Sequence, residues 1–264
     1  MNYIYLALLL SLTEFSPFLL NLIDKGMTIK TTKPPIILLL GRDDWQKDLN
    51  LNFILTNYIQ KKGIKIAWED ALGGIILKYR LCLGKYFKLS ESFDKFLIRC
   101  LQLLLALVNW KYARHLFRQF KDNHHKFTIS GRCMRVRERI QALSFKYEVY
   151  IISRSSGGRV ASLIADDLPI KHIICLGYPF QNPENGVEPE RYEHLPTMST
   201  PFLIIQGAHD DYGGSEVLEK YSFHQNTKIA VIDTDHGFRM KPEQWQILYD
   251  LMDGVLPKID SKTN

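Results

Sequence analysis

Three residues of this 264-residue chain have the types and the spacing that nucleophilic catalysis requires. Ser155, Asp210 and His236 each follow an apolar stretch that predicts a β-strand. A histidine can take the proton of a serine hydroxyl, and a carboxylate beside that histidine fixes its tautomer and offsets the imidazolium charge. The chemistry that this set predicts is attack of the Ser155 oxygen on an acyl carbon, with His236 acting first as base and then as acid.

Ser155 lies in a short turn between a predicted strand and a predicted helix. The strand ends at Ser153, and Gly157-Gly158 open the helix. A tight turn of this kind holds a hydroxyl clear of the sheet, small neighbours admit a substrate, and the helix N-terminus offers backbone N–H groups. The usual nucleophile turn has glycine two residues before the serine, whereas this chain has Ser153. Taken alone, the turn therefore fits a helix-capping serine as well as a nucleophile.

The elements that would position these residues alternate between strands and helices. Continuous apolar runs predict strands that are buried on both faces of a parallel sheet. The predicted strands are 35–40, 64–68, 148–153, 170–176, 201–206 and 228–233, and the predicted helices are 46–62, 135–145, 157–166, 214–221 and 242–254. This alternation predicts an α/β fold with a doubly wound, mostly parallel sheet. The carboxyl ends of such strands meet at one edge, so we expect the three residues together there.

The order serine, acid, base along the chain is the order of α/β-hydrolases, and the C-terminal half resembles that superfamily. Within it, the motifs resemble the dienelactone-hydrolase-like group related to testis-expressed-30 and KANSL3-type proteins. The resemblance covers roughly residues 135–255, through Ser153-Arg-Ser-Ser-Gly-Gly-Arg-Val-Ala, Cys175-Leu-Gly-Tyr-Pro-Phe, Gln206-Gly-Ala-His-Asp and Asp235-His236. It implies a serine hydrolase that cleaves a carboxylic ester or a related acyl compound through Ser155, His236 and Asp210, with no cofactor or metal ion.

The turn after the first strand departs from this group. The group has H-G-x-G at that place, and this chain has Leu40-Gly41-Arg42-Asp43. By position, the backbone N–H groups of Arg42 and Ser156 would bind the oxyanion. The departure keeps a second hypothesis open, in which the chain is a catalytically degenerate α/β-hydrolase fold that serves as a binding module.

Composition favours one globular domain in a reducing compartment. Hydrophobic residues make up 46% and charged residues 23%, which excludes disorder and collagen-like structure. The four cysteines form no C-x-x-C pair, which argues against a zinc site or a disulfide framework and favours the cytoplasm. We expect a single domain over 28–258. The apolar segment 1–27 is a helix packed on the domain, a weak membrane anchor or the result of an overextended start site.

The segment 73–132 is a predicted helical, basic insertion and a candidate lid over the site. Residues 71–147 hold 16 Lys/Arg and 4 Asp/Glu, a net charge of +12 in a chain whose total is +6. A basic face beside an apolar, aromatic face is typical of a helix on anionic lipid. In the alternative, the basic side chains are merely solvated and the apolar ones pack onto the sheet, namely Leu101, Leu104, Leu105 and Val108. The expected partners are a small acyl substrate and, in the first interpretation, an anionic membrane surface; no nucleic acid is expected.

Overall fold

The computed structural model describes residues 33–41, 49–69, 91–110, 113–114 and 128–258. The chain divides into two compact units, Met1–Lys33 and Pro34–Asn264, and the elements below all belong to the second. The apolar segment 1–27, Arg42, and residues 73–90, 111–112 and 115–127 of the segment 73–132 lie outside the described residues.

Strands and helices alternate along the described part of the chain. The strands are β1 Pro35–Leu40, β2 Lys65–Trp68, β3 Glu148–Arg154, β4 Ile170–Leu176, β5 Gln181–Asn182, β6 Gly186–Val187, β7 Phe202–His209 and β8 Thr227–Asp235. The α-helices are α1 Leu49–Lys61, α2 Glu91–Val108, α3 Ile129–Ser144, α4 Ser156–Ile164, α5 Val217–Lys220 and α6 Pro242–Asp253.

Six of these strands form one parallel sheet in the order β2-β1-β3-β4-β7-β8. The chain runs outward from β1 to β2 and then returns to place β3 on the other side of β1. The strand order therefore reverses between β1 and β3, and a crevice forms at the carboxyl ends of strands where such a reversal occurs. The predicted doubly wound, mostly parallel α/β fold is confirmed.

Helices cover both faces of the sheet because its strands are apolar on both sides. In β1, Ile37 and Leu39 face one layer while Leu38 and Leu40 face the other, as the two-residue period of a strand requires. The first layer packs against α1 and α6, through side chains that include Leu55 of α1. The second packs against α3 and α4, through side chains that include Val136, Ile140, Val160 and Ile164.

Several boundaries differ from the sequence-based predictions. Strands β7 and β8 run on to His209 and Asp235 because their pairing continues past the turn-type residues at which the predicted strands end. Helix α3 begins at Ile129 rather than at 135, since Thr128 caps it by accepting a hydrogen bond from the Gly131 N–H. The last four residues of the segment 73–132 therefore belong to a helix that packs on the sheet.

Helix α2 is the longest described element of the segment 73–132, and one long stripe of its surface is exposed. Its inward side includes the buried Ile98 and the half-buried Leu101 and Leu105. Leu104 and Val108 are 61% and 82% exposed, so the expectation that these two pack onto the sheet is wrong. Across the part of the chain that the structure describes, no helix is long and apolar enough to span a membrane.

Candidate active site

Ser155 occupies a strained turn between β3 and α4. Its φ of 46° and ψ of −120° lie in a region that side chains other than glycine rarely enter, at a cost of about 1–3 kcal/mol. The turn is fixed on both sides, because the Ser155 N–H donates to Leu176 O at 3.2 Å and the Ser155 carbonyl accepts from the Gly158 N–H at 2.8 Å. The structure thus places the predicted serine on a sharp strand-to-helix turn at the carboxyl edge of the sheet.

Two glycines after the turn allow α4 to approach the sheet. A Cβ at Gly157 would lie 2.7 Å from the carbonyl carbon and oxygen of Leu40 and 2.8 Å from the Gly41 nitrogen. A Cβ at Gly158 would lie 2.2 Å from Cys175 Sγ. These contacts are too short for any larger residue, so the pair fixes the N-terminus of α4 against the ends of β1 and β4. Burial raises the pKa of the Cys175 thiol to about 12, so this neighbouring sulfur stays protonated.

The predicted acid and base form a hydrogen-bonded pair. His236 Nδ1 lies 2.9 Å from Asp210 Oδ1 and 2.8 Å from Asp210 Oδ2. The carboxylate is fully buried, whereas the imidazole is 25% exposed. The structure therefore brings together Asp210 and His236, which arrive from the ends of β7 and β8. A histidine held by Nδ1 in this way leaves Nε2 for a proton exchanged with a reacting group.

A buried glutamine holds the carboxylate of this pair. Gln206 Nε2 donates to Asp210 Oδ2 at 2.9 Å and to the Gly213 carbonyl at 2.6 Å, while its Oε1 accepts from the Tyr178 N–H at 2.9 Å. The Tyr212 N–H donates to Asp210 Oδ1 at 2.8 Å, and the Tyr212 ring lies 4.5 Å from the His236 ring. We call Gln206, Asp210, Tyr212 and His236 the acid–base edge.

Gly177 connects the acid–base edge to the serine turn. It follows Leu176, whose carbonyl accepts the hydrogen bond from the Ser155 N–H, and it has a φ of 66°. A Cβ at Gly177 would lie 3.2 Å from both Asp210 Oδ2 and His236 Nδ1, so only glycine fits without displacing the pair. Between the described side chains of Ser155 and His236 there is no direct hydrogen bond, and such contacts commonly tighten only when a substrate binds.

Ser156 and Arg154 flank Ser155 in the chain. Ser156 is the first residue of α4, so its backbone N–H lies at the N-terminus, which is the positive end of the helix dipole. Arg42, the other predicted oxyanion donor, lies outside the described residues. Arg154 is buried and donates from Nη2 to the His236 carbonyl at 3.3 Å, so it contacts the loop that carries His236.

Sequence reasoning missed several residues that the structure brings to the site. Gln206 and Gly177 stand inside the quoted motifs, but neither type signals its role without the fold. Arg132 is the last residue of the predicted insertion, yet its Nη1 donates to Ser156 Oγ at 2.8 Å. Within the described ranges, no three His, Cys, Asp or Glu side chains cluster as metal ligands would.

Comparisons with known proteins bear on the fold family. No curated protein matches this chain. The chain is similar to the structure of the esterase domain from a Rhodothermus marinus protein, with 12% identity over 86% of this chain and 87% of that one and a TM-score of 0.47. It is also similar to an alpha-beta serine hydrolase homologue from Coxiella burnetii, with 14% identity over 49% of this chain and a TM-score of 0.41, and it spans 61% of that chain.

The sequence profile of the alpha/beta hydrolase domain family matches residues 105–260, which is more than half of the chain. That stretch contains β3, β4, β7 and β8 of the parallel sheet together with α3, α4 and α6. On this match, the chain belongs to the α/β-hydrolase superfamily.

Proposed function

We propose that the protein is a serine hydrolase that cleaves a carboxylic ester or a related acyl compound through Ser155, His236 and Asp210. The observation that carries this proposal is the positive φ of Ser155, which is a strained conformation. The Asp210–His236 pair lies at the same edge of the sheet as this turn. Backbone strain of this kind persists only where the surrounding structure enforces it, and it concentrates at active sites.

In the proposed reaction, Ser155 Oγ attacks the acyl carbon while its proton moves to His236 Nε2. The carbonyl π electrons move to oxygen, and the resulting oxyanion is bound by the backbone N–H of Ser156 and, by position, of Arg42. The tetrahedral intermediate then collapses, and the alcohol leaves with the proton from His236. A water molecule repeats the sequence on the acyl-enzyme and releases the carboxylic acid and free Ser155.

The test is covalent labelling by a fluorophosphonate probe. The probe should label the wild-type chain and should not label Ser155→Ala. Ser144→Ala serves as control, because this serine lies at the end of α3, where its Oγ donates to the Gln141 carbonyl at 2.8 Å. A folded wild-type chain that is not labelled would contradict the proposal and favour the degenerate binding module.

We further propose that the chain lies in the dienelactone-hydrolase-like group related to testis-expressed-30 and KANSL3-type proteins. Support comes from two of the motifs that resemble this group, the serine-turn motif that begins at Ser153 and the motif that begins at Cys175, which pack against each other. Gly158 of the first contacts Cys175 of the second, and the aromatic side chains of Tyr178 and Phe180 that follow are fully buried. The serine turn and the strand that follows it in the chain therefore form one packed unit.

We also propose that α2 attaches the protein to an anionic membrane surface. The large apolar side chains of α2 that are exposed fall within one side of the helix at spacings of three and four: Phe93, Phe96, Leu103, Leu104, Leu107 and Val108. Leu107 is 84% exposed, and Trp110 just beyond the helix is 74% exposed. A continuous apolar stripe of this kind marks an interaction surface.

Charge supports lipid as the occupant of this stripe. The twenty residues 71–90 hold four Lys/Arg and no Asp/Glu, and residues 111–127 hold five Lys/Arg and one aspartate. An apolar helix bracketed by basic residues is the composition of an interfacial helix, and each basic residue near an anionic surface contributes about 1 kcal/mol.

The membrane proposal is tested by sedimentation with vesicles of phosphatidylcholine alone or mixed with phosphatidylserine. Binding should rise with the phosphatidylserine content, fall as salt shortens the Debye length, and be lost in Leu107→Glu. Leu218→Glu on α5 is the matched control, because Leu218 is also exposed, at 55%, but lies on another helix. Equal and weak binding to both vesicle types would contradict the proposal.

A further inference from the structure

A buried ion pair lies on the side of the serine turn opposite the acid–base edge. Glu69 directly follows β2, and Arg132 is in the first turn of α3. Arg132 Nε donates to Glu69 Oε1 at 2.6 Å and Arg132 Nη2 donates to Glu69 Oε2 at 2.7 Å. The two side chains are only 8% and 11% exposed. The pair therefore has bidentate geometry in a site from which most water is excluded, where Arg–carboxylate bonds are strongest.

The pair connects the two backbone segments that lie beside the serine turn. Glu69 Oε2 also accepts the N–H of Gly41, the residue that follows β1, at 3.0 Å. Arg132 Nη1 donates to Ser156 Oγ at 2.8 Å. Through two side chains, the end of β1 is thus joined to the first residue of α4. We call Gly41, Glu69, Arg132 and Ser156 the elbow brace.

The shape of arginine is essential to this connection. Three nitrogens of one guanidinium hold three acceptor atoms in fixed directions, whereas a lysine ammonium in the same place offers a single point charge. A buried ion pair is poor evidence of stabilisation, because a well-packed apolar pair often stabilises a fold as much or more. What apolar side chains cannot supply is the direction of the bonds to Ser156 Oγ and to the Gly41 N–H.

We infer that Glu69 and Arg132 are positioning residues, which fix the Ser156 backbone N–H for the oxyanion relative to the end of β1. This inference rests on the proposed function and extends it to residues outside the Ser155–His236–Asp210 set. Oxyanion donors stabilise the transition state and contribute little to substrate binding. A displaced donor therefore lowers kcat and leaves KM nearly unchanged.

Ser156→Ala and Arg132→Lys test this inference with 4-nitrophenyl acetate as the probe substrate. Ser156→Ala removes the acceptor of Arg132 Nη1 but keeps the backbone N–H and the ion pair. It should lower kcat about tenfold, and Arg132→Lys about a hundredfold, the scale of a misplacement of about 1 Å. KM should change less than about twofold, and the pH profile of kcat should keep its inflection.

The double variant shows whether the two residues act through one connection. Because both changes cut the same link, kcat of the double variant should equal that of Arg132→Lys instead of multiplying the two losses. Arg137→Lys is the matched control on the same helix, because Arg137 forms an exposed ion pair with Asp167 at 2.8 Å. Its kcat should stay at the wild-type value.

Each outcome decides the inference. If Ser156→Ala and Arg132→Lys are folded by circular dichroism, lower only the urea midpoint and keep kcat, the pair is merely structural and the inference is wrong. If Arg132→Lys does not fold, an unchanged kcat in Ser156→Ala overturns it alone. A folded wild-type chain without turnover, unlabelled by the fluorophosphonate, overturns the proposed function and this inference with it.

Discussion

The two sides of the serine turn are held by different physical means. The acid–base edge is held by a neutral amide, since Gln206 binds Asp210, the Gly213 carbonyl in the loop after β7 and the Tyr178 N–H after β4. The elbow brace is held by the charged pair Glu69–Arg132, which reaches across from β2 to α3. Most of the acid–base edge lies within seven residues of sequence, 206–212, whereas the brace joins four separate segments.

The difference follows from what each side has to do with charge. In the proposed reaction His236 becomes cationic beside Asp210, so a second full charge near Asp210 would compete with the imidazolium. A neutral amide donor orients the carboxylate without that competition. On the other side, a neutralised ion pair supplies fixed directions, and its bidentate geometry tolerates little movement. Substitutions on each side of the turn separate these two kinds of support.

The largest effect is expected from Asp210, the proposed acid. Asp210→Asn should reduce kcat about 10⁴-fold, because the amide favours the wrong imidazole tautomer. Turnover of 4-nitrophenyl acetate measures this. The adjacent carboxylate provides the control, and Asp211→Asn should retain at least about half of the wild-type kcat. Comparable losses in both variants would mean that Asp210 is not the acid.

Removing the amide of Gln206 should lower both the free energy of unfolding and kcat. Gln206→Leu leaves Asp210 Oδ2, the Gly213 carbonyl and the Tyr178 N–H without their buried partner. Unsatisfied buried groups cost about 1–3 kcal/mol each, and we expect a loss of about 3 kcal/mol in the free energy of unfolding from urea titration. A loss below about 1 kcal/mol would show that the acid–base edge does not depend on this amide.

The side of the serine turn that holds the elbow brace depends on close packing as well as on the Glu69–Arg132 ion pair. Gly157→Ala forces a Cβ to within 2.7 Å of the Leu40 carbonyl, so the end of β1 and α4 must separate. We expect a loss of about 2 kcal/mol in the free energy of unfolding, the usual cost of overpacking, and a lower kcat. Gly254→Ala after α6 is the control, since its nearest contact would be 3.5 Å, and it should cost about 0.5 kcal/mol or less.

Two half-buried histidines outside both regions give stability its own pH dependence. Burial lowers the pKa of His172 and of His194 to about 4, from an unfolded value of 6.5. Between these pH values the unfolded chain binds more protons, so the free energy of unfolding falls as the pH falls from about 6.5 to 4 and gains nothing above 6.5. In urea titrations, His172→Gln with His194→Gln should flatten this slope. An identical slope in wild type and double variant would contradict the lowered pKa values.

The smallest effect is expected from an ion pair at the surface. Arg137 and Asp167 are 36% and 66% exposed, so water and salt screen their attraction. Arg137→Ala should change the free energy of unfolding by about 0–1 kcal/mol, compared with the larger effect of Arg132→Ala one turn away. Equal losses from the two variants would remove the distinction between the elbow brace and an ordinary surface pair.

Much of the acid–base edge was predictable because its signals are local. Apolar runs predicted β3, β7 and β8, and the residue after each strand fell at the same edge of a parallel sheet by geometry alone. The acid predicted from the sequence is Asp210, and the structure pairs it with His236. The order of these strands in the sheet followed from no single segment.

Only the tertiary structure decided which distant side chains meet. Glu69 and Arg132 are 63 residues apart, and one directly follows a strand while the other lies in a segment predicted as an insertion. They meet because β1 is paired with both β2 and β3, which brings the crossover helix α3 over the end of β2. Strand and helix periodicity are properties of consecutive residues, and turn chemistry needs only a few neighbours. The pairing of charges across a sheet depends on strand order and on which side chains the fold buries together.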